Sequence, residues 1–554
     1  MRNNKPLFVA IIAAIFLGLF FGQAALGITL LQPSGFTEIP AARDYATEVL
    51  RDPWDMSNKQ DIVPHLTKHF SRVKMSNGVW RGTTINRDSR FWFLFSGYYG
   101  SYANGREGAA NPVNTAIYKR LTFKMYLGVS STAYRRGTFY WFYDKKLRKH
   151  SHIRFKLKPG WHTYKIDLPS TWRGWPTSLR LDPIDRANTR VIVDWIRLTN
   201  RPSTNIHLRW VGAVKGSNVT VFLDNDRSGY NGTSLATFKC GSGSCAANVS
   251  FAGLEPGTYF MYLYNNGALS NYSLGGVIVN DAPRIKVVDP DKVGGRDWAR
   301  TALRNSWDMR SPIDINKAFN IGGVRFRRGL FRAYNVQRNS GRRGTRKHDP
   351  YIMLNLRRKT INTRKYHRLT FRYRFRGGFS LKRGTMTRVG WITKRYNDPK
   401  HWQISDDIVT YAGWNTITID LKKIKLNRGS YGWRNRVTQL RFDPHEDRRT
   451  RSFFIDYITL RQDDKVGSRG FVIRYNLYDK NDNDIAINIY RDRDRRFGNG
   501  NEALITSQRV GPGKRAYRWR PAHVIKGTFW IYVQANDGVN TSGYYSTGPL
   551  RVRT

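Results

Sequence analysis

The stretch Leu121-Thr122-Phe123-Lys124-Met125-Tyr126-Leu127 carries an apolar side chain at every second position, and Leu369-Thr370-Phe371-Arg372-Tyr373-Arg374-Phe375 does the same. An apolar period of two marks a strand with one face on a core and the other toward solvent. The likeness between the two regions extends in both directions. Asp44-Tyr45-Ala46-Thr47-Glu48-Val49-Leu50 leads into Trp54-Asp55-Met56, and Asp297-Trp298-Ala299-Arg300-Thr301-Ala302-Leu303 leads into Trp307-Asp308-Met309, an offset of 253 residues. The same offset carries Trp161-His162-Thr163-Tyr164-Lys165-Ile166-Asp167-Leu168 onto Trp414-Asn415-Thr416-Ile417-Thr418-Ile419-Asp420-Leu421. Chance likeness does not hold register over such a span, so the chain is an internal duplication.

A smaller unit follows each large one. Val219-Thr220-Val221-Phe222-Leu223-Asp224 returns as Ala486-Ile487-Asn488-Ile489-Tyr490-Arg491-Asp492, and Pro256-Gly257-Thr258-Tyr259 as Lys526-Gly527-Thr528-Phe529. Short helices are expected only over 42–50 and 296–303, and no alternation of strands with long helices suggests a parallel α/β fold. The expected fold is all-β: two jelly-roll-like sandwiches, 36–200 and 286–462, alternate with two immunoglobulin- or fibronectin-like sandwiches, 201–285 and 463–554.

The large units close on Val193-Asp194-Trp195-Ile196-Arg197-Leu198 and Ile455-Asp456-Tyr457-Ile458-Thr459-Leu460, and there they resemble jelly-roll carbohydrate-binding modules of the galactose-binding-like type. The small units resemble fibronectin type III or immunoglobulin-like modules, best at Asp537-Gly538-Val539-Asn540-Thr541 and Tyr545-Ser546-Thr547-Gly548-Pro549. The resemblance implies a bacterial surface protein that binds glycan, and it names no ligand.

With 554 residues, 40% hydrophobic and 14% aromatic, the chain can bury several cores and is no disordered polyanion binder. Residues 1–27 read as an export segment, with basic Arg2 and Lys5 ahead of an uncharged apolar run from Leu7 to Gly22. Ala24, Ala25 and Gly27 offer a cleavage site for a signal peptide. The apolar character resumes through Leu31, however, which suits a retained N-terminal membrane anchor. Either reading places the rest of the chain in the cell envelope or outside the cell. The two cysteines, Cys240 and Cys245, are then expected to pair as a small disulfide.

The formal net charge of +54 is unevenly spread: +15 over 36–200, +2 over 201–285, +28 over 286–462 and +7 over 463–554. If Phe371, Tyr373 and Phe375 face the core, then Arg372, Arg374 and Arg376 line the other face, and Arg325 and Arg327 repeat the alternation around Phe326. Guanidinium groups donate paired hydrogen bonds to carboxylate, sulfate or phosphate, so these five arginines are the expected polyanion site. Trp80, Trp92, Trp172, Trp175, Trp402 and Trp433 are candidates for stacking on sugar rings. Trp54, Trp161, Trp195, Trp307 and Trp414 recur in both copies and are expected to be structural.

No catalytic residue is assigned. The recurring acids Asp55/Asp308, Asp61/Asp314, Asp167/Asp420, Asp182/Asp443 and Asp194/Asp456 sit in both copies, which favours a shared fold role over one active site. Asp224 and Asp226, with Asp492 and Asp494, superficially match calcium loops. Ser228 and Arg496 break the pattern, and Arg227, Arg493 and Arg495 oppose a divalent cation, so hairpin turns are expected there. No cofactor motif is present.

The leading expectation is a non-enzymatic exported protein whose second large domain binds acidic polysaccharide or the anionic cell surface. A structural subunit that self-assembles into a sheath, filament or envelope layer is the alternative, and a carbohydrate-active enzyme comes third. No specific nucleic-acid partner is expected, and membrane contact is expected only through the N-terminal segment.

Overall fold

A computed structural model describes residues 27–96, 108, 111–131, 135–144, 147–200, 203–252, 254–336, 338–339, 346–347, 349–445 and 450–552. The export segment, apart from its last residue, lies outside the described residues. Among the described residues, no helix is long and apolar enough to cross a membrane.

The chain forms two compact units. Of the described residues, the smaller comprises 27–37, Asn205–Ser250 and Gly257–Ile278. In it, strand Thr29–Gln32 pairs antiparallel with the end of Ser203–Val211, and Asn218–Asp224 lies between Thr233–Lys239 and Gly257–Asn265. Leu30, Leu208, Trp210, Val219, Val221 and Leu263 fill its core. Cys240 and Cys245 are bonded, with Cα atoms 5.9 Å apart.

The larger unit contains both jelly-roll-like sandwiches. In the first, one sheet runs Phe70–Ser76, Val79–Thr84, Arg190–Thr199, Arg120–Gly128, Gly160–Asp167. The second repeats that order with Ile321–Arg327, Leu330–Asn335, Ser452–Arg461, Arg368–Phe375, Gly413–Asp420. Each packs on an opposing sheet across an aromatic core, so the fold is all-β as the two-residue period requires. The expected helices shrink to one turn each, Ala46–Leu50 and Ala299–Leu303.

Those turns are pinned alike in both copies. Asp44 accepts hydrogen bonds from the Thr47 and Leu198 amides, and Asp297 accepts them from Arg300 and Leu460. The other recurring acids are also held by neighbours. Asp182 accepts from Arg180 at 2.6 Å and Asp443 from Arg441 at 2.5 Å, while Asp314 accepts from Asn305 and the Met309 amide.

Sheet membership corrects the linear limits in one respect. Strand Arg284–Asp289, which lies at the boundary of the second large domain, pairs with Phe471–Tyr478 of the second small sandwich. Ile285 and Val287 point inward and pack with Ile473, Tyr475 and Leu477. Likewise Thr29–Gln32, ahead of the first large sandwich, belongs with Ser203–Val211. Phe36–Pro40 in turn joins Gly276–Asn280, so the first large sandwich follows two leading strands of its small partner, and the second follows one. Alternation identifies such a segment as a strand but says nothing of which sheet it completes.

Candidate functional site

Leu369, Phe371, Tyr373 and Phe375 are buried in the core, which turns Arg372 and Arg374 to the outer face, with Arg376 exposed beyond the strand end. Phe326 packs on the same core and sends Arg325 and Arg327 outward. All five arginines therefore share one face. Cross-strand register adds a residue that alternation alone did not single out. Arg325 pairs with Arg332, Arg332 with Phe454, Phe454 with Arg374, and Arg374 with Trp414. One lateral row thus crosses five strands, with a guanidinium or ring about every 4.8 Å.

The aromatic members temper the repulsion between the cations. Arg376 and Arg332 lie 5.1 and 5.4 Å from the centroid of Phe454, and Arg372 lies 4.5 Å from that of Trp414. Asp456 pairs with Arg372. Among the described residues, Arg325, Arg327, Arg332, Arg374 and Arg376 have no carboxylate partner. Like charges set side by side on a sheet destabilise it, and a bound polyanion offsets the cost.

The first large sandwich carries the same row with different side chains. Lys74 pairs with Arg81, Arg81 with Ile192, Ile192 with Tyr126, and Tyr126 with Trp161. The duplication has kept two cations at one end and an indole at the other. A shift in pairing leaves Asp194 as the extra residue between Val193 and Trp195, and Asp456 holds that place between Ile455 and Tyr457. Such a bulge re-aims its side chain, here outward beside a cation. Lys124 meets Asp194 at 2.9 Å and sits 5.4 Å from the ring of Trp161, as Arg372 does with Asp456 and Trp414.

Trp161 is 44% exposed and its ring lies 5.7 Å from that of Tyr126, so its expected structural role is corrected. Its pleat explains this, since Tyr164 and Ile166 point inward and place Trp161 on the opposite side. Trp414 is half-buried on the same outer face of its own sandwich.

Four of the tryptophans proposed for stacking are likewise corrected. Trp80, Trp92, Trp172 and Trp433 are at most 5% exposed. Trp80 is on the inward side of its strand against Phe70 and Phe91, and Trp92 stacks on Phe142. Trp172 and Trp433 plug equivalent core positions, edge-on to Trp141 and Trp391 at 5.2 Å each. Their indole N–H groups donate to the Tyr118 and Tyr366 carbonyls. Trp175 and Trp402 are half-buried. Trp175 lines a small cavity beside Tyr118, and Trp402 lies 5.8 Å from Arg441.

The proposed calcium carboxylates are used locally. Asp224 accepts from the Tyr272 hydroxyl and Asp226 from the Ser228 amide. Asp492 accepts from Tyr545 and from the Asp494 amide, while Asp494 accepts from Arg496 and Asn499. A different trio converges instead: Asp479, Asp482 and Asp537 bring oxygens within 4.8 Å of one another. The amides of Asn481, Asp482 and Asn540 already bond to two of them. Fifty-odd residues of sequence hide Asp537 from the other two.

No family model matches the chain, and no curated protein does. Among solved structures, it is similar to a β-1,2-glucanase from Parabacteroides distasonis at 12% identity, over 48% of this chain and 37% of that one, with a TM-score of 0.16. It is similar to carbohydrate-binding modules of the β-sandwich superfamily at 11% identity, over 47% and 92%, with a TM-score of 0.14. The adhesin domain of Epf from Streptococcus pyogenes follows at 10% identity, over 41% and 78%, with a TM-score of 0.13. The chain thus spans little more than a third of the glucanase, and likenesses at these TM-scores carry no argument about function.

Proposed function

We propose that the chain is an exported, non-enzymatic surface protein that binds acidic polysaccharide along the outer face of its second large sandwich. The observation that carries this reading is the row Arg325, Arg332, Phe454, Arg374, Trp414. Cations without carboxylate partners are interleaved there with rings, at intervals close to the length of one sugar unit in an extended chain. Guanidinium groups take the carboxylate or sulfate, and the ring faces take the apolar side of a pyranose.

Changing Arg372, Arg374 and Arg376 together to serine is expected to move elution from a sulfated or alginate column to markedly lower salt, because screened surface attraction drives the retention. Unchanged elution, with the fold intact by circular dichroism, would count against this face.

The matching row of the first sandwich supports an accessory role in the same binding. Trp161→Ala is expected to alter folding stability by less than about 0.5 kcal/mol, as an outward side chain should. It is also expected to weaken retention of the same polysaccharide measurably. An unfolding midpoint that falls sharply would return Trp161 to a core role.

A further inference from the structure

A cleft of about 560 Å³ in the larger unit lies apart from both sheet faces. Arg51, Arg284, Lys286, Lys292 and Arg495 line it, and among the described residues no carboxylate does. An adjoining cavity shares Arg51, Arg284 and Ile285 with it but otherwise mixes Arg43, Arg120, Lys165 and Arg197 with Asp44, Glu48, Glu255 and Asp281. Three separate elements deliver the cations. Arg51 ends the helical turn Ala46–Leu50 in a left-handed conformation, φ 61°, with its amide bonded to Ala46. Arg284 and Lys286 stand on one side of strand Arg284–Asp289 while Ile285 and Val287 face the core. Arg495 is buried and donates to the side-chain amide oxygen Oδ1 of Asn111 at 3.5 Å.

Rings complete the lining. Tyr544 lies 4.8 Å under Arg51 and Tyr478 lies 5.7 Å under Arg284, and Tyr478 is 54% exposed. Arg284 has Asp281 at 2.9 Å, outside the lining. Burial lowers the pKa of Arg51 below its usual value; the Glu48 carboxylate works against that shift and Arg284 adds slightly to it, and an anion in the cleft would relieve the cost that remains.

We propose that this cleft is a second anion-binding site, taking a multiply charged anionic saccharide of a few rings. Its volume falls within the range of small-molecule sites, roughly 300–1,000 Å³. Convergent guanidinium and ammonium groups select the charge, and the tyrosine faces select a ring-bearing ligand over a bare ion.

Titration calorimetry of the full chain with sucrose octasulfate tests the proposal, with sucrose and sodium sulfate as comparisons. The sulfated sugar is expected to bind and uncharged sucrose is not. Lys286→Ser with Lys292→Ser, and separately Arg51→Ser, should each weaken the sulfated sugar by about 10-fold. Arg374→Ser with Arg376→Ser should leave this binding event intact, which separates the cleft from the sheet face even if that face binds no polysaccharide. Unchanged affinity in both cleft variants, binding lost only on the Arg374/Arg376 change, equal binding of sucrose, or no binding by the parent chain would each overturn the assignment.

Discussion

Trp391→Ala is expected to cost the second large sandwich roughly 3–5 kcal/mol, enough to unfold a module of ordinary stability. Trp391 is fully buried, donates its indole N–H to the Gly432 carbonyl at 3.0 Å and meets Trp433 edge-on. Alanine removes the ring contacts, leaves a cavity that the sheets cannot collapse to fill, and takes the donor away from the half-buried Gly432 carbonyl. Urea unfolding followed by far-ultraviolet circular dichroism, with proteolysis mapping cleavage to 290–463, measures the effect. A loss under about 1 kcal/mol would show that this core is looser than its packing implies.

Asp463→Ala should be comparably severe, at roughly 3–5 kcal/mol, because it removes the shared partner of a buried charge cluster. Asp463 is 6% exposed and lies 3.3 Å from His367, 2.9 Å from Arg368 and 3.1 Å from Arg551. His367, 3% exposed, also meets Asp420 at 2.8 Å. Burial opposes each charge, but mutual attraction and hydrogen bonds outweigh it. The His367 pKa is therefore raised, and those of Asp420 and Asp463 are lowered.

The signs define a pH window. The carboxylates contribute stability above their ordinary value of 3.8, and this is lost as pH falls through their lowered folded values. His367 contributes fully below its ordinary 6.5, and this is lost as pH rises through its raised value. Asp464 acts in the same direction as His367 above pH 4. Burial, helped by the charge of Asp291, pushes its pKa up to about 7, so its ionisation opposes the fold as pH climbs toward that value. Thermal stability is expected to peak at mildly acidic pH, roughly 4 to 5, and to decline toward pH 8. Asp463→Ala should flatten the decline above pH 6.5, and a profile identical to the parent's would contradict the assignment.

The alternation of Leu369 to Phe375 was enough to place the arginines on an outer face, because period two leaves a single choice once the core side is known. The same reasoning applied to Trp161 and Trp414 would have turned them outward. Recurrence in both copies suggested a structural role, yet a duplicated binding row recurs just as a duplicated core does. Trp172 and Trp433 sit outside regular strands, so no period showed which way they point. Arg332 and Phe454 joined the row only through cross-strand register, which depends on how distant segments pair. The basic cleft draws on Asn111 and on residues within 49–51, 284–292, 476–495 and 544–547, a convergence that no local pattern encodes.

The insertion of each large sandwich behind leading strand segments of its small partner also governs the order of events at the ribosome. Arg284–Asp289 emerges about 180 residues before Phe471–Tyr478, the segment it must join. At common rates of chain growth, roughly 5–20 residues per second, that strand waits some ten seconds or more with its hydrogen-bonding edge unpaired. Lys286 and Arg284 face outward along it, and their charge discourages a neighbouring nascent chain from adding to that edge in the meantime.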